Sequence, residues 1–150
     1  IMRLEFGYAY QQVADAMGRT SANAARMLVA RALVDLAEAM ENMDGDADLL
    51  QEIVTIFMAT GTEQLATLAN SIAAGDVKDV CIRAHGMKGG ASNFCARKFV
   101  ASALRLELLA KTGTLDGAGA LLDAMQANYA ELEELVVLIN WGEVASNWSA

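Results

Sequence analysis

The run Ala84-His85-Gly86-Met87-Lys88-Gly89-Gly90-Ala91 holds the chain's only histidine. Around it Val77, Val80, Ala84, Met87, Ala91 and Phe94 recur at steps of three and four, one face of an α-helix. At roughly 100° per residue, His85 projects about 130° from the centre of that stripe, into water. Its own face carries Lys78, Cys81, Lys88, Gly89 and Ser92. A neutral imidazole offers a ring-nitrogen lone pair for nucleophilic attack, and Lys88 at i+3 reaches a group bound there. Gly89 at i+4 removes the side chain that would block an approaching partner. Glycine costs up to about 1 kcal/mol per helical site. This helix nevertheless carries Gly86, Gly89 and Gly90, so something other than helix stability favours them.

The elements that position this run are helices. An apolar content of 55% with no proline suits long uninterrupted helices, and 150 residues suit one domain or one with an appendage. The first main helix is expected from about Asp46 to Ala74, with Leu49, Leu50, Ile53, Ile56, Phe57, Leu65, Leu68 and Ile72 apolar and a bend or break at Gly61-Thr62. Gly75-Asp76 turns the chain, and Asp76 caps the histidine helix. A third helix spans Arg97 to Lys111 with Phe99, Leu104, Leu108 and Leu109. The fourth runs after the turn at residues 112–117 to about Leu138 with Leu121, Leu122, Met125, Tyr129, Leu132, Leu135 and Val136. Short connections favour antiparallel neighbours, hence an all-α, up-down-up-down four-helix bundle.

Several chemistries are excluded. Cys81 and Cys95, fourteen residues apart on or near one helix, stand about 21 Å from each other, beyond disulfide reach. One histidine and two distant cysteines give no zinc site. Cys95 reads as a small buried apolar residue and Cys81 as a neutral rim residue. No stretch is apolar enough to span a membrane and no signal peptide is visible, so a cytoplasmic location is expected. The acidic runs Asp44-Asp46-Asp48 and Glu131-Glu133-Glu134 read as helix-start and solvated faces.

With its flanking residues, the run Ala84-His85-Gly86-Met87-Lys88-Gly89 resembles the histidine phosphotransfer (HPt) domain, whose pattern is Ala-His-x-(aliphatic)-Lys-Gly followed by small residues. The stretch from His85 to Ala96 is especially similar to the phosphotransfer domain of chemotaxis kinases. The resemblance extends over about residues 35–140. It includes the acidic segment Asp44 to Asp48 before an apolar helix, the Gly75-Asp76 pair and Leu106-Glu107 on the following helix. Two positions depart from it: Gly86 stands where a larger polar residue is common, and Cys95 where glycine is usual. The resemblance implies two-component signalling, with His85 as phosphoacceptor between the aspartates of receiver domains of response regulators or hybrid histidine kinases. Lys88 would stabilise phosphoryl charge, and Gly89 with Gly90 would let receiver loops approach. The domain would be a phosphocarrier rather than a kinase, with no cofactor of its own; no glycine-rich nucleotide loop is present, and Mg²⁺ would come from the receiver. Glu107 is read as a structural surface residue, with orienting a group near the site as the alternative.

Residues 1–34 differ. Tyr8 to Arg26 reads as helix, glycine turn at Gly18, and a second helix, and resembles the helix-turn-helix (region 4) of alternative sigma factors. Four arginines against two acids give residues 1–31 a balance of +2, while seven bases against seventeen acids give residues 32–150 a balance of −10. A DNA binder usually shows a denser basic face. Binding to DNA or RNA polymerase, or an adaptor role through these helices, is the alternative function; homodimerisation through them is a further expectation. Residues 141–150 form a tail, read as a short helix with Trp141 and Trp148 packing on the bundle.

Overall fold

A computed structural model describes residues 36–137 and 139–148. The helix-turn-helix-like segment, with the DNA, polymerase and dimer expectations attached to it, lies outside these residues. A helical stretch over residues 36–42 leads into α1 (Ala47–Ala73), α2 (Val77–Ser92), α3 (Arg97–Lys111), α4 (Ala118–Val136) and a short α5 (Trp141–Trp148). Helices α1 to α4 pack each against the next, and α4 closes back on α1. This is a four-helix bundle with an all-α architecture. Helix α5 also lies on α1, burying Val144, with Trp141 partly buried against the core.

The helix starts follow from side-chain capping. Asp46 accepts from the Leu49 N–H at 2.9 Å, and Asp76 from the Asp79 N–H at 3.0 Å, each satisfying a donor that the first turn leaves unpaired. Between them Gly75 takes φ +70°, reversing the chain in a conformation that costs a Cβ-bearing residue energy. The Ser71 hydroxyl donates to Asp79 Oδ2 at 2.5 Å, so the end of α1 is tied to the first turn of the histidine helix.

The expected break at Gly61 does not occur. Helix α1 runs continuously through it, and Gly61 is buried. A Cβ there would lie 2.2 Å from Tyr129 Cε2. The glycine is therefore a notch for the α4 tyrosine, whose hydroxyl donates to the Met58 carbonyl at 2.7 Å. The ring is held further by Phe57 and Phe99, with centroid separations of 6.1 and 6.5 Å. Because the ring cannot yield, Gly61→Val is expected to cost about 2–3 kcal/mol through overpacking. A lower urea midpoint with unchanged slope would register it. Tyr129→Phe, which loses only the hydroxyl bond, should cost about 1 kcal/mol.

Core assignment differs from the periodic reading in one respect. Leu49, Ile56, Leu104 and Leu108 are exposed, although their size suggested burial. The inner face of α3 is instead Phe99, Ser102, Ala103, Leu106, Glu107 and Ala110. Two alanines there let α3 lie close to its neighbours. Helix α4 ends at Val136, two residues earlier than expected.

Candidate functional site

Helices α2 and α3 form an antiparallel hairpin, and its turn explains one departure in the sequence. After α2 ends at Ser92, Cys95 adopts φ +57° and is buried, with Asn42 Nδ2 donating to its sulfur at 3.6 Å. A left-handed residue closing a helix is where glycine carries least strain. Neither cysteine is in a disulfide, and Cys81 is partly buried beside the site.

On α2, Val80, Ala84, Met87 and Ala91 face the core, and the side chain of His85 is 67% exposed. The ring is nevertheless fixed. Its Nδ1 lies 3.0 Å from Oε1 of Glu107 on α3. Lys88 Nζ donates to Oε2 of the same carboxylate at 2.6 Å, and Lys111 Nζ to Oε1 at 2.7 Å. Lys88 thus sits on Glu107, half-buried, rather than reaching freely into solvent.

Glu107 corrects the sequence reading, which placed it on the surface. It is only 1% exposed, among the most buried side chains of the bundle. Burial of a carboxylate costs several kcal/mol unless its oxygens are bonded, and here three donors converge on them. Lys111 foremost, then Lys88, and finally His85 hold the carboxyl down to about 2 against the opposing effect of desolvation. The same bond raises the Lys111 ammonium above its ordinary value. An ionised carboxylate only accepts hydrogen bonds, so the proton of a neutral His85 ring belongs on Nδ1. The lone pair then falls on Nε2, to which no hydrogen bond runs from the described residues.

The glycines divide. A Cβ at Gly86 or Gly89 would meet nothing within 4 Å, whereas one at Gly90 would lie 3.2 Å from Phe57 Cδ2. Gly90 therefore faces the bundle and serves packing, which corrects its reading as an access residue; Gly89 lies open beside the histidine. Gly89→Ala is expected to raise stability by about 1 kcal/mol through helix propensity. A thermal melt checks this, and no gain would mean that the α2 backbone there is held away from ordinary helix.

Residues 52–135, more than half of the chain, match the family model of the Hpt domain. The chain belongs to the Hpt domain family. No curated protein and no solved structure matches it. As an Hpt domain it is a histidine phosphotransfer module of phosphorelay, two-component signalling, a class that works with receiver domains of response regulators or kinases. The matched stretch spans most of α1, all of α2 and α3, and most of α4, so it contains the entire His85–Glu107 constellation. Among the described residues no helix of this Hpt domain is long and apolar enough to cross a membrane. Nor do three or more His, Cys, Asp or Glu side chains there gather as a metal site.

Proposed function

We propose that His85 relays a phosphoryl group between receiver-domain aspartates through Nε2. The observation that carries this reading is the exposed imidazole whose other nitrogen is bonded to a buried carboxylate. In the forward step the Nε2 lone pair attacks the phosphorus of an aspartyl phosphate in line. The N–P bond forms as the P–O bond to the aspartate breaks, and that carboxylate leaves with the bonding pair. The Nδ1 proton stays in place, so the ring becomes cationic. Glu107, 3.0 Å away, offsets that charge without moving. Lys88, anchored on the same carboxylate, supplies positive charge beside the developing phosphoryl oxygens. Gly89 leaves room for the partner's loops. The second receiver reverses the step and regenerates neutral His85.

Mg²⁺ and the acidic pocket that holds it belong to the receiver in this scheme, and the module works as a carrier without nucleotide. A cytoplasmic setting suits such partners. The test is transfer from a panel of receiver domains charged with a small phosphodonor. Acid-labile, base-stable label on the protein supports the relay, and failure of every receiver with the bundle folded refutes it.

A further inference from the structure

The bundle is electrically two-sided. Every lysine and arginine after Arg31 lies on the α2–α3 hairpin: Lys78, Arg83 and Lys88 on α2, and Arg97, Lys98, Arg105 and Lys111 on α3. Against these seven bases the two helices carry only Asp79 and Glu107. Helices α1, α4 and α5 carry acids and no base. The acidic character of the whole chain therefore conceals an excess of base on the two helices that bear His85 and Glu107, of which Lys78, Lys88 and Lys111 lie on the histidine side.

Five of the seven bases are matched: Arg83 with Asp79, Lys88 and Lys111 with Glu107, Arg97 with Glu38, and Lys98 with Glu131. Lys78 and Arg105 have no acid partner among the described residues. At about 100° per residue, Lys78 shares the His85 face, two turns and roughly 10 Å along α2. Arg105 is turned about 160° from Glu107 around α3, away from the histidine. The hairpin also exposes two large apolar side chains, Ile82 at 60% and Leu108 at 51%.

We propose that this hairpin face docks a partner whose contacting surface is net acidic, with Lys78 steering its approach to His85. The inference rests on the phosphotransfer reading and adds a selection rule: among receivers, those with the most acidic rim around the phospho-aspartate load this module fastest. Charge complementarity supplies the argument. Opposite potentials raise association rates, and salt screens them beyond about 10 Å. The acidic α1 and α4 sides repel the same partner from unproductive docking.

The experiment measures second-order rate constants for transfer from the phosphorylated receiver panel at low and high salt. It compares the full chain with Lys78→Glu and with Asp123→Lys, a charge reversal on α4. Lys78→Glu should slow transfer about five- to tenfold at low salt, leave the saturated rate unchanged, and lose its effect at high salt. Asp123→Lys should change little. Lys78→Glu transfer as fast as wild type overturns the docking surface while leaving the relay standing. Absence of label on His85 from any receiver overturns the relay and the docking surface together. If duplex DNA competes for the face and blocks transfer in a Lys78-dependent manner, the occupant is nucleic acid and the proposal fails.

Discussion

Replacing His85 by glutamine is expected to abolish labelling by every phosphorylated receiver while the bundle stays folded. The two halves of that expectation have separate causes. Loss of label follows because an amide offers no nucleophilic lone pair at the position of Nε2. Retention of the fold follows because the side chain is 67% exposed and its one side-chain bond among the described residues is to Glu107. A glutamine amide can donate to the same carboxylate oxygen, and surface changes of this kind usually stay within about 0.5 kcal/mol. Helicity and melting midpoint should therefore match wild type. Label that survives in the variant places the phosphoryl group elsewhere, and the assignment of His85 falls.

Glu107→Gln is expected to lower both stability and transfer rate, and its pH dependence distinguishes a charge effect from a packing effect. The carboxyl sits near 2 in the folded chain against an ordinary 4.5. A depressed carboxyl stabilises the fold fully above its unfolded value and loses that contribution as pH falls through the folded one. Wild type should thus lose on the order of 3 kcal/mol between about pH 4.5 and 2 from this group alone. The glutamine variant, already without the charge, should start lower and show a flatter profile in that window. At neutral pH the variant also presents an amide N–H₂ to the lysines that now donate to the carboxylate. Lys88 and Lys111 can turn to solvent, which keeps the cost near 2–3 kcal/mol rather than the larger penalty of an ion stranded in the core. Transfer should slow on the order of 10–100-fold, in the saturated rate more than in apparent affinity, because the cationic ring loses its charged counterpart and the tautomer is held only by a neutral, flippable amide. Equal acid profiles for the two proteins would mean that Glu107 is held by shape and not by charge.

Asp76, Gly75 and the bounds of α3 were legible because capping and periodicity are local properties, written within a few residues of where they act. The outward aim of His85 was legible for the same reason. Glu107 was not. It stands in Leu104-Arg105-Leu106-Glu107-Leu108-Leu109, where hydrophobicity ranks the leucines inside and the acid outside. The bundle reverses this because α3 turns Ala103, Leu106, Glu107 and Ala110 inward, leaving Leu104 and Leu108 open. Only the pairing of 107 with 85 and 88 across the hairpin makes the buried acid sensible. Lys111, one turn on, was the available local hint. Gly61 misled in the opposite direction: a glycine in a helix looks like a break until the ring filling its place, sixty-eight residues later, is known. Gly90 looked like room for a partner for the same reason, since Phe57, which it faces, lies thirty-three residues earlier.

The notch at Gly61 has a bearing on the aim of a histidine it never touches. A one-turn slide of α4, about 5.4 Å, would bring Met125 or Glu133 opposite the glycine and leave either a poor fit or a charge in the interior. The tyrosine therefore keys α4 to α1 in a single register. Phe57 abuts that ring, meets Phe94 and Phe99 at 5.1 and 5.4 Å, and lies against Gly90. The aromatic cluster passes the alignment from the notch to the hairpin that holds His85 and Glu107. A loosened key would show as a histidine whose ring wanders off its carboxylate in a protein still fully helical.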